Sequence, residues 1–175
     1  MKPLKRLLSI RRVTCILFIF AIIFSVQIGR VNATISFWIA KEKMLIPRGQ
    51  SVVLVEDELI YVIGGVDRTN GMALASMEIY DLATNSWSTG ASLPNATRGA
   101  AGTKGLDGIL YVISGAGLGQ NSVQAYNPTT NTWTLKTNIP KSVWAADAAT
   151  GEDGSIYVIG GSGGADLCTN IQSYF

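Results

Sequence analysis

The sequence predicts an all-β protein, made of about three copies of one four-stranded antiparallel sheet and preceded by an apolar N-terminal signal or anchor helix. Three observations carry this. Ile60-Tyr61-Val62-Ile63-Gly64-Gly65 recurs as Leu110-Tyr111-Val112-Ile113-Ser114-Gly115 and as Ile156-Tyr157-Val158-Ile159-Gly160-Gly161, at tyrosine spacings of 50 and 46. Tryptophans keep the same beat at Trp38, Trp87 and Trp133, and a second tyrosine set follows at Tyr80, Tyr126 and Tyr174. Between these marks apolar and polar residues alternate with period two, and no 3.6-residue apolar period appears after residue 33.

The first thirty-three residues differ in kind. Lys2, Lys5, Arg6, Arg11 and Arg12 form a basic head without an acid, and Val13 to Gly29 runs without a charge. Small residues at Val31-Asn32-Ala33 complete the layout of a secretory signal peptide, with the cut expected between Ala33 and Thr34. The competing reading is an uncleaved membrane anchor at 13–29, at the lower edge of the roughly 17–25 residues that span a bilayer. Both readings put residues 34–175 outside the cytoplasm, secreted or periplasmic in one case and membrane-tethered in the other.

The leader also carries the positive charge. The whole chain is formally +2, but residues 34–175 hold eight bases against twelve acids. A basic face for phosphate backbones is therefore not expected, and nucleic acid is excluded as a partner. Cys168 is the one cysteine beyond the leader, so no intrachain disulfide is expected in that part.

Each copy opens with a hairpin. Incoming strands are expected over roughly 50–55, 100–104 and 145–150, with the Tyr-Val-Ile strand returning. Asp57, Asp107 and Asp153 stand four residues before the tyrosines, and Asp107-Gly108 and Asp153-Gly154 predict two-residue type I′ turns. The returning strands end at Gly64-Gly65, Gly115 or Gly160-Gly161, where a missing Cβ permits close backbone approach. Third strands are predicted at Ser76–Tyr80, Ser122–Tyr126 and Asn170–Tyr174, with Glu78, Gln124 and Gln172 in register. Fourth strands start at Trp87 and Trp133 and stop near Pro94 and Pro140.

Hairpins ending in Gly-Gly, a Tyr80-Asp81 pair and then Trp87, at a period near 50, resemble the kelch repeat. The resemblance covers roughly residues 38–175, with repeats at about 44–93, 94–139 and 140–175; Ser114 and Asn127 depart from its pattern. It implies a β-propeller with one repeat per blade. On that basis Asp57, Tyr61, Gly64, Gly65, Tyr80, Trp87, Asp107, Tyr111, Gly115, Tyr126, Trp133, Asp153, Tyr157, Gly160, Gly161 and Tyr174 are structural marks of the repeat. Trp38 is read as a lone fourth strand, and the third copy lacks its own. The chain is accordingly expected to be part of a longer propeller, or to close with a second copy by self-association.

The sequence contains no histidine, which removes imidazole-based triads and metal sites from the expected chemistry. No cofactor, metal or catalytic residue is expected. A binding surface is: thirteen residues before the origin tyrosines stand Arg48, Arg98 and Trp144, and the resemblance places this set at the ligand end of the blades. Arginine and tryptophan are favoured anchors in interfaces. The expected function is a binding module for a protein or carbohydrate ligand. The alternative is part of an extracytoplasmic sugar-modifying kelch enzyme, such as a sialic acid epimerase. Asn95-Ala96-Thr97 is a glycosylation sequon at Asn95, expected in an exposed loop.

Overall fold

A computed structural model of the chain describes residues 38–163 and 171–174. The predicted leader, the 13–29 anchor and Cys168 lie outside the described residues. The chain divides into two units, Met1–Ile39 and Ala40–Phe175. In the first, Trp38 and Ile39 belong to no strand and are exposed, so the fourth strand expected at Trp38 is not formed in the single chain.

The second unit is all-β, and no described residue is helical. Its first repeat holds β1 (Arg48–Gly49), β2 (Val52–Glu56), β3 (Leu59–Ile63), β4 (Val66–Asp67), β5 (Met77–Asp81) and β6 (Ser86–Thr89). The second holds β7 (Thr97–Arg98), β8 (Ala101–Lys104), β9 (Leu110–Ile113), β10 (Ala116–Gly117), β11 (Val123–Asn127) and β12 (Thr132–Lys136). The third holds β13 (Trp144–Thr150), β14 (Ile156–Ser162) and β15 (Ile171–Tyr174). The blades are the antiparallel sheets β2-β3-β5-β6, β8-β9-β11-β12 and β13-β14-β15. Two short ladders, β1 with β4 and β7 with β10, tie each blade-entry segment to the loop after the glycine pair.

The period-two pattern explains the stacking. Successive side chains of a strand point to opposite faces. Leu110 and Val112 of β9 therefore pack on blade 1, in a core with Val52, Tyr61, Ile63 and Met77. Tyr111 and Ile113, on the other face, pack on blade 3 with Val123, Ala146, Ile156 and Val158. Blade 2 is thus covered on both sides, and all four residues of β9 are buried. Gly102 is needed for this approach, because a Cβ there would stand 2.1 Å from Val52 Cγ1. Lys104 pairs with Glu56 across the same blade boundary.

The hairpins reverse the turn expectation. The two-residue turn occurs in blade 1, where Asp57-Glu58 joins the paired Glu56 and Leu59 and Asp57 takes φ 51°. In blade 2 the Gly105 N–H donates to Ile109 C=O and the Gly108 N–H to Gly105 C=O, at 2.8 and 3.1 Å. Leu106-Asp107-Gly108 is thus a three-residue loop, with only Gly108 of the three in the left-handed region at φ 77°. Blade 3 repeats it at 152–154. The aspartate side chain favours the wider loop. Asp107 Oδ1 accepts the Ile109 N–H and Oδ2 the Tyr111 hydroxyl at 3.0 Å, and Asp153 does the same for Ser155 and Tyr157. Burial, and then the bond to Asp107, push the Tyr111 hydroxyl pKa up to about 12.

Outer strands are held by an equally regular set of bonds. Trp87 stacks on Tyr80 and Trp133 on Tyr126, each with ring centres 5.0 Å apart. Tyr126 donates its hydroxyl to Asn131 Oδ1, and Tyr80 to Asn85 Oδ1. Asn127 does the work of Asp81: each Oδ1 accepts two backbone N–H groups of its turn, so the departure at Asn127 leaves the turn intact.

Candidate functional site

The loop end of the blades is built from the blade-entry segments. Gln50, Gly99 and Ala145 each have a left-handed backbone, at φ 55°, 60° and 54°. The Gly99 N–H donates to Gln50 C=O at 2.8 Å and the Ala145 N–H to Gly99 C=O at 2.7 Å. A backbone bond of this kind at each of the two blade boundaries fixes the residues beside it, Arg98 and Trp144 among them.

These bonds set apart the three residues selected from the sequence. Arg48 is buried: Nη1 donates to the carbonyls of Gly64 and Ser76, and Nη2 to Ser76 Oγ and to the Glu78 carboxylate. Its guanidinium is enclosed in blade 1. Arg98 is exposed, with one bond from Nη1 to Gly71 C=O at 3.2 Å. Trp144 is half exposed, at 48 %. Arg98 and Trp144 come together on a cleft of about 430 Å³, lined also by Gln50, Val66, Arg68 and Ala116.

Arg68 is the residue that the sequence reasoning missed. It stands in the loop after Gly64-Gly65, where the copies differ, so no repeat register pointed to it. Its neighbour Asp67 does not line the cleft; its carboxylate accepts bonds from Thr69 and Asn70. The Thr69 bonds in particular hold the Asp67 carboxyl below the usual carboxylate range. The cleft thus offers two guanidinium groups, an indole face and the Gln50 amide, with no acid in its lining. Such a set can hold a carboxylate or an extended polar segment by charge-assisted bonds and stacking. Its lining includes no carboxylate, thiol or imidazole. Among the described residues no three His, Cys, Asp or Glu side chains stand together as metal ligands.

The register of Glu78, Gln124 and Gln172 has a structural meaning that spacing alone does not reveal. Gln124 accepts the Asn95 N–H and donates to the Asn95 C=O, at 2.8 and 3.0 Å. Gln172 makes the same pair of bonds with Lys141. Glu78 accepts the N–H groups of Leu45 and Ile46 and, lacking a donor, takes Arg48 as a partner. Each clamps the segment entering its blade. Ser114 keeps φ at 61°, and its hydroxyl accepts the Val143 N–H at 2.8 Å. In the preceding repeat the corresponding Thr97 N–H goes to Leu74 C=O. Asn95 is half-buried, with its amide nitrogen beside Gly119.

The Kelch motif family matches residues 47–94, which is blade 1 with its entry segment. Alpha-scruin of Limulus polyphemus is 40 % identical over 78 residues, covering 45 % of this chain and 8 % of that protein. Kelch-like protein 34 of Homo sapiens is 32 % identical over 95 residues, 54 % of this chain and 15 % of that protein. An F-box/kelch-repeat protein of Arabidopsis thaliana is 36 % identical over 69 residues, 38 % of this chain and 14 % of that protein. The chain spans less than a sixth of each of these relatives. With the motif matched on blade 1 and the same sheet, glycine and aromatic framework repeated in the blades after it, the chain carries kelch-type repeats.

Proposed function

We propose that this chain is a protein-binding module that receives an extended segment of its partner in the cleft between Arg68, Arg98 and Trp144. The observation that carries the reading is the convergence of two arginines and a tryptophan on one cleft without an acid, in a part of the chain that is acidic overall. Rigid sheets hold the walls, and the loops that differ between copies supply the contacts. The reading includes an extracytoplasmic place of work, supported by the basic head and uncharged run within residues 1–33.

Selection of displayed random peptides on the purified chain tests it. Peptides should be enriched on the unsubstituted protein and lost on a chain carrying Arg98→Ala and Trp144→Ala. Equal enrichment on both would reject the cleft. Retention of a glycan, but of no peptide, would reassign the ligand to carbohydrate.

A further inference from the structure

Asn70-Gly71, in the loop after the first glycine pair, is the one asparagine–glycine step in the sequence. It stands in the run 68–72, every residue of which is exposed. Gly71 has φ 76°, in the left-handed region that favours glycine, and nothing lies within 4 Å of where a Cβ would stand. Solvent therefore reaches the Gly71 nitrogen and the Asn70 carboxamide beside it. Asn70 Oδ1 accepts the Met72 N–H at 2.9 Å, which draws electron density from Cγ, and Nδ2 donates to Asp67 Oδ2 at 3.1 Å. The Gly71 N–H is held by Asp67 C=O at 2.8 Å. All of these are bonds within one exposed loop, the kind of structure that opens locally at small cost.

Other positions lack part of this set. Asn85 and Asn131 are exposed too, but Ser86 and Thr132 follow them and are paired within the sheets. Asp107-Gly108 and Asp153-Gly154 have the glycine, but their side chains are carboxylates, poor acceptors of a nitrogen nucleophile, and each is bonded to a tyrosine hydroxyl. The 68–72 loop also reaches the cleft. Gly71 C=O accepts a bond from Arg98 Nη1 at 3.2 Å, and Arg68 at the start of the run lines the same cleft.

We propose that Asn70 is a site of deamidation, and that the carboxylate it yields pairs with Arg98 and supplies the cleft with an acid from its own rim. When the loop opens, the Gly71 nitrogen gives its proton to solvent hydroxide and attacks Asn70 Cγ. The N–Cγ bond forms, the Cγ–Nδ2 bond breaks, and the amide leaves as ammonia with a proton from water. Water then opens the cyclic imide at either carbonyl, leaving aspartate or isoaspartate; the net change is amide and water to carboxylate and ammonium. The product cannot keep the Asn70 bond to Asp67, because two carboxylates now face each other and repel. Arg98, already held one residue away at Gly71 C=O, attracts the same charge and has no acid partner. The new carboxylate is thus pushed from Asp67 and drawn to the guanidinium. Its bearing on ligands rests on the reading of this cleft as the binding site; the covalent step does not.

Ageing of the full chain in mild detergent and mildly alkaline buffer tests it, with isoaspartate located by isoaspartyl methyltransferase labelling and peptide mass spectrometry. Deamidation at Asn70 should run at least tenfold faster than at Asn85 or Asn131, and Gly71→Ala should slow it at least tenfold. Phenylglyoxal, which modifies free guanidinium groups, reports the pairing. Arg98 should react at least threefold more slowly in the aged chain, and in an Asn70→Asp chain, than in the fresh one. Equal rates at the three asparagines, or a Gly71→Ala chain that ages as fast, would reject the site. Arg98 labelling that is unchanged or faster after ageing would reject the pairing. Neither measurement uses a ligand, so failure of the peptide selection leaves both results standing.

Discussion

Arg48 and Glu78 form an ion pair with both side chains sealed from solvent, 0 % and 1 % exposed, inside blade 1. Gln124 and Gln172 hold the corresponding place in the other blades with no such partner, so the arginine and the glutamate behave as one exchangeable unit. Removing one partner of a buried pair costs about 3–5 kcal/mol, whereas replacing both is often neutral. Arg48→Met should therefore destabilise the chain by about that much. Arg48→Met with Glu78→Gln should recover most of the loss, since glutamine accepts the entry-segment N–H as Gln124 does from Asn95. Urea unfolding of the two single variants and the double variant measures the coupling.

Ala145 holds φ at 54° where Gly99 stands one blade earlier. A residue with a Cβ in the left-handed region is strained by roughly 1–2 kcal/mol. Ala145→Gly should raise stability by about 1 kcal/mol, and Gly99→Ala should lower it by a similar amount, because its new Cβ would meet only ordinary contacts. The midpoint of urea unfolding should move in opposite directions for the two variants at constant slope.

The Ser114 hydroxyl is the acceptor of the buried Val143 N–H. Ser114→Ala keeps the left-handed strain and orphans that donor, which costs about 1–3 kcal/mol. Amide exchange at Val143 should accelerate in step with the loss of stability.

Tyr111 gives an alkaline prediction. Its hydroxyl has a pKa raised from 10.0 to about 12 in the folded chain. Between those values the unfolded chain has released a proton that the folded chain retains, so stability falls as pH rises. The contribution is intact below pH 10 and is lost by about pH 12. Tyr111→Phe should flatten the pH dependence of the thermal midpoint across this window by close to one proton's worth of slope.

Export is checked chemically. The chain recovered from outside the cytoplasm should begin at Thr34, and an intact Met1 in the membrane fraction would show an anchor instead.

Much of the fold was legible because the aromatic and glycine marks recur in register: Tyr61, Tyr111 and Tyr157 lie on middle strands, and Trp87 and Trp133 on outer ones. Strand ends were less so. The third strands begin at Met77 and Val123, one residue later than expected from the alternation, because the Ser76 carbonyl bonds Arg48 and the Gly64 N–H. Asp107-Gly108 was misread because the turn rule considers φ alone, whereas the carboxylate also has a tyrosine hydroxyl to satisfy. At the cleft, repeat spacing selected Arg98 and Trp144 but could not separate them from Arg48. What separates them is the neighbour of each arginine: a buried glutamate in one blade and a neutral glutamine in the next. Arg68 left no trace, since a residue without counterparts has no register to betray it.

The bonds from Gly99 to Gln50 and from Ala145 to Gly99 have a direction. Blades 2 and 3 each spend this N–H backward, and the Ala145 carbonyl holds the place that the Gln50 and Gly99 carbonyls fill as acceptors. A chain organised this way has a growing end, like a polymer whose terminus is regenerated at each addition. Duplication or deletion of one whole repeat leaves every such bond well formed, while a cut anywhere inside a repeat does not. Lineages built on this rule can change their blade number in unit steps with little adjustment elsewhere, and their sequence differences can accumulate in the loops between.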